Sequence, residues 1–136
     1  MTLDAKALAL DWVRYLETSD DALLEKVFAE EHHDHVSGHR GREIYQTVQG
    51  WYEASFAERE FEVHGVATDD DGLVMVWLSA HGRHIGNAFP MLRSAGEPTG
   101  KHVTWTQTHI FRAVAGRLTE HWAVRDDRGL LGQLSQ

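Results

Sequence analysis

At 136 residues the chain suits one domain, spanning 1–136, with a core large enough to need no covalent staple. It has no cysteine, which excludes disulfides and thiolate metal sites and makes a cytoplasmic setting the plain expectation. A net charge of −8 with neutral histidines argues against nucleic acid as a partner, because that binding is driven by basic surface. No run approaches the roughly 18 apolar residues of a membrane helix, and the opening MTLDAKALALDW reads as neither signal peptide nor anchor.

Residues 3–17 carry an apolar stripe of Leu8, Trp12, Tyr15 and Leu16, so a first helix is predicted there. Tyr15 lies on that stripe and could put its hydroxyl into a cavity, although a core tyrosine bonded to backbone is the plainer expectation. Thr18 to Asp21 is a capping signal, and a second helix is predicted to about residue 30, burying Leu23, Leu24, Val27 and Phe28. Then comes EEHHDHVSGHRG, where His32, His33, His35 and His39 crowd around Asp34. The spacing matches no zinc pattern, so no metal is expected. In a short extended segment, alternation groups His33 with His35 as the cavity-facing pair.

A third helix is predicted over 41–58, with Ile44, Val48, Trp51, Tyr52, Ser55 and Phe56 on its apolar side; Trp51 and Tyr52 have the bulk to close one side of a cavity. From Phe61 the period becomes strand-like. One strand is predicted over 60–68, a turn at DDDG, and a second strand over 73–84. The first half of that strand is apolar on both faces and fits a central position; its second half, with His81, Arg83 and His84, fits a cavity rim. Residues 85–100 are the longest irregular stretch, and Phe89, Pro90, Met91 and Leu92 could form a lid over a site. After a last hairpin, residues 127–134 read as a short helix or coil with Leu130, Leu131 and Leu134 inward. The whole is an α+β plan, N-terminal helices packed on a curved antiparallel sheet of four strands.

The hairpin at 102–126 carries the chemistry. Val103, Trp105, Gln107, His109, Phe111 and Ala113 alternate onto one apolar face. Gln107 and His109 are polar in the middle of it, so they must be hydrogen-bonded or line a cavity. Its turn is Val114-Ala115-Gly116. A two-residue turn would put Ala115 at positive φ, which a Cβ disfavours, so a three-residue loop with a bulge at Gly116 is expected. That register sets His109 opposite His121 and Gln107 opposite Ala123, with Thr119, His121, Ala123 and Arg125 on the inner face. The rejected register would bring Glu120 and Trp122 inward, since a one-residue slip flips every side chain.

The HRG before the third helix, the strand ending GRHIG, the PTG before the hairpin and IFR…GRLTEHWAVRDDRGLLGQL resemble the SnoaL-like polyketide cyclase family. That family lies within the nuclear-transport-factor-two-like superfamily of cone folds with an internal pocket, and the resemblance covers nearly the whole chain. It implies a histidine–aspartate acid/base pair on the last two strands. The histidine falls at His109; where the aspartate is expected this chain has Ala123. The resemblance keeps His35 and His84 as pocket candidates and implies a homodimer through the face of Thr104, Thr106, Thr108, Ile110 and Trp122.

The functional expectation is cofactor-free acid/base chemistry, of cyclase or isomerase type, on an apolar carbonyl compound. His109, His121 and His35 are the candidate catalytic residues. Tyr15, Trp51, His84, Trp105, Gln107, Phe111, Ala123 and Arg125 are the candidate substrate contacts. Loss of the aspartate leaves open an alternative, a non-catalytic binding and dimerisation module for an apolar ligand. A dry, side-chain-filled interior would count against both.

Overall fold

A computed structural model describes residues 4–136; the predicted helical position Leu3 lies outside them. The elements in order are α1 (Ala5–Thr18), α2 (Ala22–Val27), β1 (Phe28–Asp34), α3 (Ile44–Ser55), β2 (Phe56–Thr68), β3 (Leu73–His84), a 3₁₀ turn (Pro90–Leu92), β4 (His102–Val114), β5 (Arg117–Arg125) and α4 (Asp127–Leu134). The strands form one sheet in the order β1-β5-β4-β3-β2. Helices α1 and α3 cover its inner face and supply Trp12, Leu16, Tyr45 and Tyr52 to a core shared with Val74, Val76, Leu78, Trp105 and Phe111. Asp4 caps α1 by accepting the Ala7 N–H at 3.0 Å.

The sheet has five strands and is mixed, where four antiparallel strands are expected from the sequence. The second helix ends at Val27, and Phe28 is already extended. Phe28 instead stacks on Tyr45 at 4.0 Å, and the residues after it pair in parallel with β5, Asp34 opposite His121. Tertiary pairing thus overrides the helical period of a short segment. Likewise α3 stops at Ser55, and Phe56 opens β2 four residues before the predicted strand. The DDDG turn lies where expected. Gly72 there has φ +89, and an added Cβ would run into the Ala113 carbonyl, so only glycine fits.

The β4–β5 turn corrects the expected register. Val114 pairs with Arg117 across a two-residue turn, with Ala115 at φ 52 and Gly116 at φ 79. The bulge sits further in, between Arg112 and Ala113, and takes up Thr119 on the facing strand. Thr119 therefore leaves the inner face, and its hydroxyl donates to the Arg112 carbonyl. Beyond the bulge the phase of β5 is restored. His109 faces Ala123, Phe111 faces His121 and Gln107 faces Arg125. The inner-face set of His121, Ala123 and Arg125 thus stands, shifted two residues against β4.

The long stretch between β3 and β4 folds inward, with Phe89 and Leu92 buried. Phe89 lies 4.9 Å from Tyr52 and 5.0 Å from Trp105, edge-on to both.

The turn is testable by the sign of a stability change. Ala115→Gly relieves a left-handed alanine and is expected to raise stability by about 0.5 kcal/mol in urea unfolding. With a three-residue loop and Ala115 in the right-handed region, the same change would lower it.

Candidate active site

The inner face of β4 is buried along its length, Gln107 and His109 included. Of the two ways to accommodate that polar pair, hydrogen bonding is the one realised. His109 Nδ1 lies 2.8 Å from His121 Nε2, and His121 Nδ1 lies 2.8 Å from Asp34 Oδ1. On its other side His109 Nε2 is 2.6 Å from the Gln107 amide oxygen, and the Gln107 NH₂ donates to the Tyr52 hydroxyl at 3.0 Å. Four elements supply this chain of five side chains: β1, β5, β4 and α3. Trp12 packs on His109 at 4.5 Å and Phe111 on His121 at 4.7 Å, excluding water from both rings.

Asp34 is the carboxylate that sequence reasoning missed. It stands on β1, two residues after the buried His32. It accepts from the Val36 and Ser37 N–H groups and the Ser37 hydroxyl as well as from His121. A signal was present, because Asp34-x-x-Ser37 is an Asx-turn pattern at a strand end. The parity of β1 is the opposite of that expected. His32 and Asp34 face inward, while His33 and His35 lie on the other side. The bulge between Phe28 and His33 sets this phase. His35 is accordingly corrected: it is exposed, stacks on Trp122 at 4.6 Å and bonds Glu120 at 3.1 Å. His32 forms a side branch, donating from Nδ1 to the Leu118 carbonyl and accepting the Tyr45 hydroxyl at Nε2.

Other sequence candidates are distributed around this chain. Tyr15 is buried against backbone, its hydroxyl 3.5 Å from the Tyr45 carbonyl, and does not join the relay. His84 is also corrected. It staples the β3–β4 connection, bonding Thr99 at 3.1 Å and Asn87 at 2.7 Å. Trp51 is half-buried and meets Phe89 at 5.6 Å. Arg125 lies with its guanidinium carbon 5.7 Å from the Trp105 ring centre. Asp126 caps α4 through the Gly129 N–H and takes no part in the relay.

The electrostatics follow from burial. Burial pushes His109 well below the ordinary histidine value near 6.5, with His121 and Arg125 adding to the shift. His121 is lowered by burial against the opposing pull of Asp34. Burial alone would raise Asp34, but its bonds from His121, Ser37 and Val36 outweigh that and hold it well below the usual carboxylate range. The resting site is therefore one carboxylate and two neutral imidazoles. In that state Asp34 accepts from His121 Nδ1–H, His121 Nε2 accepts from His109 Nδ1–H, and His109 Nε2 keeps a lone pair, which the Gln107 NH₂ meets after a half-turn of the amide from the orientation with its oxygen on His109. One added proton makes His121 an imidazolium between Asp34 and His109. His109 Nε2–H then donates to the Gln107 oxygen, which the amide presents as it stands. The five groups can thus store a proton beside a buried negative charge.

The space beside this chain is small. A cavity lined by Tyr52, Phe56, Arg59, Phe61 and Trp105, among others, measures about 10 Å³, roughly room for one water. Gln107, His109 and His121 are buried, so the relay is closed to solvent along a polar path rather than a dry one. Among the described residues no group of three or more acidic or histidine side chains is placed to hold a metal ion, and no helix is long and apolar enough to cross a membrane.

Comparison with known proteins settles the lineage. The SnoaL-like polyketide cyclase family model matches residues 6–134. The chain belongs to that family. Nogalonic acid methyl ester cyclase of Streptomyces nogalater is 31% identical over 97 residues, 71% of this chain and 68% of that protein. Aklanonic acid methyl ester cyclase of Streptomyces sp. strain C5 is 29% identical over 98 residues, with 57% of its length matched. Among solved structures, TsrD of Streptomyces laurentii superposes with a TM-score of 0.81 at 18% identity, covering 95% of this chain and 92% of its own. IdmH of Streptomyces antibioticus gives 0.80 at 21%, covering 98% and 99%. These two share the fold. Ala123, where the sequence resemblance implies an aspartate, lies directly across from His109, and the hydrogen-bonded path from His109 reaches the carboxylate of Asp34 through His121.

Asp34 and the buried histidines all destabilise the fold in acid. The depressed folded-state pKa of Asp34 gives stability that is present above the unfolded carboxylate value and lost as pH falls below about 4. The histidines are buried neutral, so the unfolded chain takes up protons first, from about pH 6.5. For His32, lowered by burial to about 4, the loss runs from there down to about 4. The urea midpoint is expected to be flat above pH 7.5 and to fall steadily between pH 6.5 and 4. At pH 7.5, Asp34→Ala should cost about 3 kcal/mol, because it leaves His121 buried without its acceptor.

Proposed function

We propose that this protein is a cofactor-free cyclase that closes a ring in an apolar polyketide-like carbonyl compound, with His109 as the base. One observation carries the reading, the continuous hydrogen-bonded path Asp34–His121–His109. In an intramolecular aldol closure His109 Nε2 takes the proton of a carbon between carbonyl groups. The resulting enolate carbon attacks a second carbonyl, and the alkoxide formed takes the proton back. A lone buried imidazole is a poor base, since charging it costs desolvation. Here the Nδ1 proton of His109 passes to His121 as Nε2 is charged, so the positive charge rests against Asp34. The pair thus supplies, through an intervening histidine, the assistance an aspartate at 123 would give directly.

Two relatives of the chain are named as cyclases of nogalonic acid methyl ester and aklanonic acid methyl ester, which supports the substrate class. The family match extends the support to nearly the whole chain. Substrate must displace side chains to reach His109, since the adjoining cavity holds about 10 Å³. Phe89, which packs on Tyr52 and Trp105 from the β3–β4 connection, is the group placed to give way.

We propose also that two copies pair through the outer sheet face. Met75, Ile110 and Trp122 form one row across β3, β4 and β5, and Trp77, Thr108 and Val124 the next. Trp77 is 52% exposed and Val124 72%, an apolar surface that calls for cover.

Turnover of polyketide methyl esters and their free acids, followed by loss of the open-chain chromophore, tests the chemistry. His109→Ala should lower it by about 10³-fold, and His121→Gln and Asp34→Asn by about 10²-fold. Undiminished turnover in His109→Ala would overturn the reading. Sedimentation at micromolar concentration should give a dimer for the natural chain and a monomer for Trp77→Glu.

A further inference from the structure

Arg125 is spent on nothing the fold needs. Among the described residues it makes no ion pair and no hydrogen bond, whereas Arg14, Arg42, Arg83 and Arg112 are each paired with a carboxylate. The other arginines without a charged partner either bond backbone carbonyls, as Arg59 and Arg117 do, or stand exposed, as Arg40, Arg93 and Arg128 do. Arg125 is partly buried on the inner face, lies over Trp105, and has its Nε–H buried without an acceptor. A cation in that condition is costly in a chain with eight surplus negative charges that could have paired it.

Its place in the register matters. Arg125 faces Gln107 across β4–β5, and two residues back on the same face Ala123 faces His109. Same-face neighbours on a strand are roughly 7 Å apart. A ligand with its reactive carbon at His109 therefore has its next functional group within the reach of Arg125. A second buried donor, Trp12 Nε1, also has no acceptor, and its ring packs on His109. Arg59 Nε, on the small cavity it lines with Tyr52, is a third, so the unsatisfied groups around the relay are all donors. The small Ala123, partly exposed, puts no negative charge between His109 and Arg125, where an aspartate would have repelled an anion.

We propose that Arg125 is the carboxylate-binding residue of this site, and that the ligand is a free acid, not its ester. The planar guanidinium fork matches a carboxylate in two parallel bonds, and an ester offers it only weaker, uncharged acceptors. The inference rests on the inner face being the ligand site. It separates this chain from relatives whose names specify methyl esters.

The test is binding rather than turnover, so that it can fail or succeed apart from the chemistry proposed for His109. Titration calorimetry would compare 2-naphthoate with methyl 2-naphthoate as probes. The acid is expected to bind at least tenfold more tightly. Arg125→Gln should reduce that preference to less than threefold by weakening the acid far more than the ester, and Arg125→Lys should fall between. The Arg125 Nε–H resonance, assigned by its loss in Arg125→Gln, should shift with the acid and stay fixed with the ester. His109→Gln should retain the preference whatever it does to turnover. Equal affinity for acid and ester, no acid binding at millimolar concentration, or a full preference surviving in a folded Arg125→Gln protein would each overturn the proposal.

Discussion

The bond between Asp34 and His121 is the constraint on which the rest of the site depends. It ties the first strand of the sheet to the fifth, two elements far apart in sequence, at the point where parallel pairing between them ends. A carboxylate this deep in the fold is tolerable only because several donors converge on it. Those donors come from the turn after β1 and from β5, so the charge fixes the local backbone as much as the backbone fixes the charge. Once Asp34 is held, the tautomer of His121 is determined, then that of His109, and then the orientation of the Gln107 amide. The protonation of the whole inner face is set at one end.

The same arrangement resolves what the family pattern leaves open. With alanine at position 123, His109 has no carboxylate beside it on the sheet, yet it is not electrostatically alone. A histidine inserted between base and carboxylate lengthens the path by one ring and keeps its polarity. It also moves the negative charge away from the place a ligand would occupy. That leaves room there for a cation, and Arg125 stands close by.

Much of this was legible in the sequence, and the reasons for what was not are local. The strict alternation of β4 showed its buried face and the two polar residues in it, because a long strand with large apolar residues has one reading. The resemblance placed His109 and the missing aspartate. Asp34 was obscured because β1 is short, follows a helix without a turn signal, and carries a bulge that reverses the parity of its histidines. His35 took the expected inward role for the same reason. The hairpin turn was misjudged on a sound rule, the reluctance of alanine to adopt positive φ. The packing of two long strands on a full core outweighs the roughly 1 kcal/mol that rule represents. His84 sits at the strand end as expected but is occupied by Thr99 and Asn87, a contact made by residues of an irregular stretch that no periodicity foretells.

The bulge at Thr119 gives the hairpin two inward residues three apart, Leu118 and His121, in a strand that otherwise counts in twos. It acts as a phase shifter. Were Thr119 drawn into the ladder opposite Arg112, the strand beyond it would turn over, presenting Glu120 and Trp122 to the interior and His121 and Arg125 to the outside. The chemistry of the cone thus hangs on the register of β5 as well as on its letters. A hairpin of this kind can exchange a basic interior for an acidic one by closing a single bulge, with every side chain of the site still present in the sequence.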